Sequence, residues 1–503
     1  NNNGTSGAET VQASKRTFGY LTGRKTKVLG TTNYLLSTYY YDIRGRLVQD
    51  VSQNLLGGTD ITTIQYDFSG NILNRHLRHQ NPSSSQVSQF RILTKMEYDA
   101  TGRLLNIKKQ INDAGALKLL STQNYNEDGQ MVSINLGQKA NSNGLSLVEL
   151  NHGYNIRGWL TSINKDFITG SGSTLQGSPS YFGLELSYDQ DGFGPTLNKQ
   201  FNGNIGAMIW KSEGDKERRK YDFNYDAAGR LLKASFTQLA ASGGQWSTTA
   251  GIDFSLNSMR YDANGNILNM SQKGWLPGGS IPIDQLSYTY APFSNRLVNV
   301  IDSANNMLTK LGDFSYDPSA KTNTDYEYDS NGNLVSDLNK KITQIEYNHL
   351  NLPSIIYMNG KGTIQYTYDA LGNKLRKRIV DSTVQPVKVA VTDYVSGFIY
   401  TQDSLQYLLH EQGRIRYDSA FQITGGNPNS SPWIYDYFIK DHLGNVRMVL
   451  TEEARTDAYP VASMETATAQ LENAYYGQIE ETRFDRNTIP GYPDDPYTSP
   501  NNF

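Results

Sequence analysis

The chain has 503 residues, a formal net charge of −3 and no cysteine, and its 34 tyrosines are its most unusual feature. So small a charge leaves no basic excess to neutralise a phosphate backbone, which argues against nucleic-acid binding. The lack of cysteine excludes disulfides, thiol catalysis and zinc sites with cysteine ligands. No apolar run approaches the roughly 20 residues that a membrane-spanning helix needs, so we expect no membrane span.

The first residues do not look like the start of a protein. The chain begins Asn-Asn-Asn-Gly, with neither an initiator methionine nor an apolar signal segment. We therefore predict that residues 1–34 are an irregular lead-in within a longer chain. Further on, His76 and His79 lie three apart among Arg75 and Arg78, and a run so rich in charge predicts a solvated polar stretch without metal.

A repeat organises most of the sequence, and its unit is Tyr-Asp/Asn-x-x-Gly-x followed in most copies by Leu or Ile. Successive units are 19 to 38 residues apart, so the motif is fixed while the rest of each unit varies. Ten copies begin at Tyr41, Tyr66, Tyr98, Tyr125, Tyr154, Tyr188, Tyr225, Tyr261, Tyr328 and Tyr368, and degenerate copies begin at Tyr290 and Tyr347.

The unit predicts the tip of a β-hairpin. Asp followed three residues later by Gly is typical of a type I turn that ends in a left-handed residue, the three-residue hairpin loop with a bulge. The carboxylate of Asp can accept hydrogen bonds from the turn, and Gly adopts positive φ without steric cost. The predicted structural turn residues are Tyr41, Asp42, Gly45, Tyr66, Asp67, Gly70, Tyr98, Asp99, Gly102, Tyr225, Asp226, Gly229, Tyr261, Asp262, Gly265, Tyr328, Asp329, Gly332, Tyr368, Asp369 and Gly372.

Counting outward from each tip predicts cross-strand pairs. Asp42 should lie opposite Arg46, and Tyr41 opposite Leu47, with the bulge able to shift this register. Aromatic–aliphatic pairs of this kind stabilise sheets by about 0.2–1 kcal/mol each. Tyrosines two residues apart, such as Tyr39 and Tyr41, place two rings on one face of a strand, which we expect to be the core face.

The pattern predicts an all-β chain in which residues 35–384 form one long, twisted sheet of hairpins. Helical composition is confined to about Val461–Ala474, where Ser463 could act as the N-terminal cap. Residues 385–450 are predicted to be a terminal region of the repeat core. Residues 451–503 are predicted to be an irregular tail leading to a further C-terminal segment.

A second motif gives the repeats a resemblance to a known family. IKDHLGNVRMV spans Ile439–Val449 and contains Asp441, His442, Leu443, Gly444 and Arg447. Together with the Tyr-Asp hairpins, it resembles the core-terminating signature of the RHS (rearrangement hotspot) or YD-repeat proteins. The resemblance runs from about Tyr39 to Thr451. It implies that the coiled sheet wraps into a hollow, cocoon-like shell.

The resemblance also implies a function and partners. Such shells enclose a C-terminal polymorphic toxin or other cargo of a large bacterial protein. We therefore expect a non-catalytic container that is secreted or exposed on the cell surface and has neither cofactor nor metal. Its expected partners are its own C-terminal cargo and secretion machinery or associated surface proteins. The wording of the motif is similar to that of Bacteroidota members, which points to type IX secretion.

Two other functions remain open at the level of sequence. Exposed tyrosines could stack on sugar rings and make the chain a surface adhesin that binds glycans. Self-cleavage near the C-terminus would need an Asp-based motif of the form D-P-x-G-L. The only Asp-Pro after Arg447 is Asp495-Pro496, and Tyr-Thr follows it. We interpret Asp441, His442 and Arg447 as one more hairpin tip, because Gly444 follows Asp441 by three residues.

Overall fold

The computed structural model describes residues 14–15, 17–139, 144–170, 180–189, 198–239, 245–248, 252–276, 279–304, 312–314, 316–418, 432–453 and 473. Two compact units are present, residues 1–452 and 453–503. The predicted Val461–Ala474 helix, apart from Asn473, lies outside the described residues. Asp494 and Asp495 lie outside them as well.

The described chain consists almost entirely of antiparallel strands, as predicted. The strands are β1 (Gly23–Lys27), β2 (Tyr34–Tyr41), β3 (Leu47–Gln53), β4 (Thr59–Tyr66), β5 (Ile72–Gln80), β6 (Gln89–Tyr98), β7 (Leu104–Ile111), β8 (Ala114–Tyr125), β9 (Met131–Leu136), β10 (Val148–Tyr154), β11 (Leu160–Ile163), β12 (Phe182–Ser187), β13 (Ala207–Ser212), β14 (Arg219–Tyr225), β15 (Leu231–Leu239), β16 (Trp246–Ser247), β17 (Leu256–Tyr261), β18 (Ile267–Leu276), β19 (Gly279–Tyr290), β20 (Leu297–Asp302), β21 (Tyr326–Tyr328), β22 (Leu334–Asp337), β23 (Ile342–Tyr347), β24 (Pro353–Met358), β25 (Gly362–Tyr368), β26 (Lys374–Asp381), β27 (Lys388–Val395), β28 (Phe398–Thr401), β29 (Ser404–His410), β30 (Gly413–Tyr417), β31 (Trp433–Lys440) and β32 (Val446–Thr451).

The prediction of one continuous sheet is wrong, because the strands form two. β1–β20 belong to a 20-stranded sheet and β21–β32 to a 12-stranded sheet. The break follows β20, where Pro318–Ala320 form a 3₁₀ turn and the Asp317 carboxylate accepts the N–H of Ser319. A proline without an N–H and a capped turn both interrupt an extended ladder. Neither sheet is closed, since no strand ladder among the described residues joins β1 to β20 or β21 to β32.

The main core lies between the two sheets. Phe90 and Leu120 of the first sheet belong to the same buried cluster as Phe398, Tyr400 and Tyr437 of the second. Alternation along the strands places these side chains inward, as expected for sheets that are buried on one face. The two sheets are therefore held together by a shared apolar layer.

The prediction of a solvated stretch at His76 and His79 is also wrong. Both residues belong to β5 and are buried, with 3% and 0% of their surface exposed. The ring of His79 stacks on Phe398 with 4.0 Å between ring centroids. Its Nδ1 lies 2.7 Å from Asp60, and its Nε2 lies 2.9 Å from the hydroxyl of Tyr400. Charge density alone could not show that Phe398 and Tyr400 of the second sheet pack against His79.

One short helix was not predicted. α1 spans Lys165–Thr169 and packs against β12, with Ile168 buried. Asn164 precedes the helix in a left-handed conformation, and its side-chain amide donates to the carbonyls of Glu149 and Phe182. Five residues are too few for the periodicity by which helices are recognised in a sequence.

Candidate functional site

The hairpin tips are the feature that recurs throughout the molecule, and the tip at residues 41–47 shows their geometry. Tyr41 pairs with Leu47 across β2 and β3, after a bulge between Tyr40 and Tyr41. The N–H of Asp42 donates to the carbonyl of Arg46 at 2.9 Å, and the N–H of Gly45 donates to the carbonyl of Asp42 at 3.1 Å. This arrangement is the predicted three-residue loop with a bulge, including the predicted Tyr–Leu pair.

Positive φ at the tip explains the need for glycine. Gly45 has φ of 78° and Gly102 has φ of 85°, in the left-handed region that glycine enters without strain. The other predicted tip glycines have φ between 77° and 99°, namely Gly70, Gly229, Gly265, Gly332, Gly372 and also Gly444. The turn that follows Tyr188 lies outside the described residues.

The aspartate organises each tip through both carboxylate oxygens. Oδ1 of Asp99 accepts the N–H groups of Thr101 and Arg103, and Oδ2 accepts Nε–H of Arg103 at 2.6 Å. These donors, led by the backbone N–H of Arg103, hold the pKa of Asp99 well below its usual range. In tips with asparagine after the glycine, the side-chain amide replaces the guanidinium, as from Asn333 to Asp329 at 2.9 Å. The carboxylate acts here as a turn constraint, and the predicted Asp–Arg pair is present.

In ten of the described tips, the tyrosine hydroxyl joins the tip to the preceding one. Tyr98 donates to the backbone carbonyl of Ile72, the residue that closes the unit before it, at 3.0 Å. The same bond, at 2.6 to 3.0 Å, runs from Tyr66 to Leu47, Tyr125 to Leu104, Tyr154 to Met131, Tyr188 to Leu160, Tyr225 to Ile205, Tyr261 to Leu231, Tyr290 to Ile267, Tyr328 to Leu297 and Tyr347 to Leu334. We call these ten bonds the tyrosine ladder.

Sequence reasoning placed the rings of the repeat tyrosines but not their hydroxyl groups. Most of these rings are half-buried rather than part of the deep core, and Tyr368 is buried with 8% of its surface exposed. A buried tyrosine hydroxyl needs a partner, and that rule was the only signal in the sequence. The hydrogen-bond acceptor could not be predicted because it is a main-chain carbonyl, which any residue type can supply.

Arginines of the tips add a second connection between neighbours. The guanidinium of Arg103 donates to the carbonyl of Asn126 in the next tip at 3.2 Å, and it lies 5.0 Å from the centre of the Tyr125 ring. Arg46 and Arg230 make the same pair of contacts, to Asp67 and Tyr66 and to Asp262 and Tyr261. One side chain therefore closes its own turn and holds the following one.

The Asp441 motif is built like the other tips. Oδ1 of Asp441 accepts the N–H groups of Leu443 and Asn445, and Oδ2 accepts Nε–H of Arg447 at 2.7 Å. The Leu443 side chain is 75% exposed at the tip. Burial lowers the pKa of His442, which makes no hydrogen bond with Asp441 among the described residues. The motif supplies a turn.

Residues at the tips present apolar side chains to solvent. The exposed fractions are 85% for Phe68, 84% for Ile43 and 54% for Leu371, and both Ile156 and Phe293 are fully exposed. All five occupy the two variable positions of their turns. The sequence showed these positions as variable, and the turn geometry explains why their side chains point away from the sheet.

One acidic cluster was not predicted from sequence. A carboxylate oxygen from each of Asp284, Asp302 and Asp313 lies within 4.8 Å of the others. Burial raises the pKa of Asp313 to about 6, and the charges of Asp284 and Asp302 add to that effect. The three residues are 11 to 29 positions apart in sequence, so only the folding of β19 and β20 brings them together.

Comparisons with known proteins do not assign the chain to a family. No protein-family model matches it, and no curated protein matches it. A mutant Tc holotoxin pore of Photorhabdus luminescens aligns with 85% of this chain at 11% identity and a TM-score of 0.23. The TcdB2–TccC3 complex with Cdc42 aligns with 84% at 11% identity and the same TM-score.

These alignments are too loose to carry a functional assignment. The chain spans only about a quarter of those toxin chains, 26% and 27% of their lengths. A porin-like protein from Bacteroides uniformis covers 46% of the chain at 10% identity and a TM-score of 0.19. Within the part of the chain that the structure describes, no helix has the length and apolar character to cross a membrane.

Proposed function

We propose that the chain is a segment of an RHS-type shell that encloses a C-terminal cargo, such as a polymorphic toxin, of a secreted or surface-exposed bacterial protein. The observation that carries the proposal is the tyrosine ladder, which fastens ten tips to the preceding ones independently of the distance between them in sequence. Hydrogen bonds of this kind can stabilise a shell whose sheet is built from many hairpins of unequal length. The DHLGNVR signature at Asp441–Arg447 supports a position near the end of that wall.

The chemistry of the tips favours a scaffold over an enzyme. Every repeat aspartate in the described tips uses its carboxylate to hold its own turn, as Asp226 does with Arg230. A feature repeated along an array is normally structural, with any activity located elsewhere. The proposed partners are accordingly the cargo segment of the same protein and the machinery that exports it, for which type IX secretion is our candidate.

Protease protection in the full-length protein tests the container. Trypsin should spare residues 35–450 together with any segment that they enclose. As denaturant is added, cleavage of the repeats and of the enclosed segment should begin at the same denaturant concentration. Cutting of the segment after residue 450 at the rate of an unfolded substrate, while the repeats stay intact, would contradict enclosure. Rapid cutting throughout the repeats would contradict the shell itself.

A second candidate function is recognition at the cell surface, including glycan binding. The exposed rings of Phe68 and Phe293 favour it, since apolar rings in solvent are typical of contact surfaces. The repeat tyrosines are poorer candidates because their hydroxyls are bonded to main-chain carbonyls. Binding on a glycan array that is lost in Phe68→Ala and Phe293→Ala would support this function, and absence of any binding would remove it.

A further inference from the structure

A lysine, an aspartate and an asparagine meet at the junction between the two sheets. Lys321 lies in the connection from β20 to β21, Asp325 immediately precedes β21, and Asn339 lies in the turn after β22. Nζ of Lys321 lies 2.8 Å from Oδ1 of Asn339 and also contacts the carboxylate of Asp325. It donates in addition to the carbonyl of Val300 in β20 at 2.6 Å.

The environment of these three groups is nearly free of solvent. Asp325 is fully buried, Asn339 is 5% exposed, and the side chain of Lys321 is 11% exposed. With water largely excluded, the ammonium of Lys321 is in direct contact with a carboxylate that can accept its proton. A neutral amine in such a site is a nucleophile, as in enzymes that use desolvated lysines.

We propose that Lys321 and Asn339 form an intramolecular isopeptide bond, with Asp325 as the proton carrier. Asp325 takes a proton from the Lys321 ammonium, and the freed Nζ lone pair attacks Cγ of Asn339. A new Nζ–Cγ bond forms and the Cγ–Nδ2 bond breaks. Asp325 transfers the displaced protons to Nδ2, which departs as ammonium and leaves an amide and an ionised Asp325. The reaction needs no oxidant, cofactor or second protein.

Positioning supports this reaction at three points. The hydrogen bond from Nζ to Oδ1 brings the amine beside the amide carbon, and intramolecular alignment of this kind replaces a costly encounter. The hydrogen bond from Nζ to the carbonyl of Val300 also holds the lysine in place. Nδ2 of Asn339, the leaving group, donates to the hydroxyl of Tyr326 at 3.1 Å. Burial raises the pKa of Tyr326 to about 12, so this hydroxyl stays protonated beside the leaving nitrogen.

The bond would secure a weak point of the fold. No strand ladder connects β20 with β21 in the described residues, where a backbone hydrogen bond from Asp325 to Val298 and side-chain contacts join them instead. A covalent link from residue 321 to residue 339 closes a loop across the start of the second sheet. Cross-links stabilise folded proteins chiefly by restricting the unfolded chain.

A tryptic map of the wild-type protein tests the proposal directly. Between Lys310 and Lys340 the only tryptic site is Lys321. If Lys321 is acylated, trypsin yields a single peptide 311–340, lighter than its sequence mass by one ammonia. Cleavage on the N-terminal side of aspartates should then release 317–324 covalently joined to the peptide that begins at Asp337. Separate peptides 311–321 and 322–340 of full mass, from folded protein, would overturn the proposal.

Variants separate the reaction from alternatives. Lys321→Arg, Asn339→Ala and Asp325→Asn should each restore the full mass and lower the thermal midpoint, whereas Lys341→Arg should keep the cross-link. Ring closure at Asn339-Lys340 also releases ammonia, but it leaves the site after Lys321 cleavable, and that pattern would overturn the bond. A persistent cross-link in Asp325→Asn would overturn the role of Asp325. Circular dichroism establishes that each variant is folded.

Discussion

The hydroxyl of Tyr98 donates a hydrogen bond to the backbone carbonyl of Ile72 at 3.0 Å, which ties one hairpin tip to the tip before it. Tyr98→Phe removes only this hydroxyl, and we expect it to destabilise the protein by about 0.5–1.5 kcal/mol, the usual net value of one hydrogen bond. Urea unfolding followed by circular dichroism measures the change. Tyr39→Phe is the control, because the Tyr39 hydroxyl makes no hydrogen bond within the described residues. Equal midpoints for the two variants would show that the tyrosine ladder is not stabilising.

Low pH should reduce the stability of the folded protein because it protonates the aspartates of the tips. The pKa of Asp99 is lowered in the folded state by the donors of Thr101 and Arg103, whereas an unfolded aspartate titrates near pH 3.9. The contribution of Asp99 is thus fully present above about pH 4 and is lost as pH falls through the lower folded value. Asp99→Asn should therefore be destabilising at neutral pH and nearly neutral in strong acid. Unfolding midpoints across this pH range test it, with Asp128→Asn, at an exposed tip position, as the control.

The left-handed backbone conformation at the tips should make a glycine-to-alanine substitution destabilising, even where there is space for the added Cβ. A Cβ at residue 102 would meet nothing closer than the Asn71 side chain at 3.6 Å, yet φ there is +85°. Gly102→Ala should cost about 1–2 kcal/mol from backbone strain alone. Gly214→Ala is the control, because Gly214 has open space and its φ lies outside the left-handed region. Similar unfolding midpoints for both variants would contradict the assigned turn.

The buried His79 should couple the two sheets. His79→Phe keeps an aromatic ring against Phe398 but removes the contacts with Asp60 and Tyr400, and we expect a loss of about 1.5–3 kcal/mol. His349→Phe, at an exposed position, should have little effect. In a double-mutant cycle with Tyr400→Phe, the two losses should not add, since both variants remove the same bond. Additive losses would show that the His79–Tyr400 contact is not energetically significant.

Local geometry was more predictable from the sequence than long-range organisation. The pairing of Tyr41 with Leu47 follows from the loop length and the period of a strand, both of which a seven-residue motif contains. The burial of His79 depends on β28, which lies more than 300 residues later, and no local pattern encodes it. The break between β20 and β21 was missed because Asp317-Pro318 is a single dipeptide among many irregular connections.

The candidate sites divide in the same way. Asp99 and Arg103 are four residues apart, so their contact could be read from one turn. Lys321 and Asn339 meet only because the chain reverses between β21 and β22. No known motif fixes the separation between a lysine and an asparagine on either side of such a hairpin. The sequence shows the tyrosines of the ladder as a regular series. Their acceptors are main-chain carbonyls, which every residue type has, so the sequence does not indicate them.

The direction of the tyrosine ladder has a consequence for how the protein is made. In all ten bonds the hydroxyl reaches toward the N-terminal neighbour, to a carbonyl that the ribosome has already released. When a new hairpin is synthesised, the carbonyl that accepts its tyrosine hydrogen bond has therefore already been made. Formation of this bond does not depend on residues still to be translated. Growth by one docked hairpin at a time would limit the exposure of free strand edges during synthesis, the stage at which large β-proteins are most prone to aggregate.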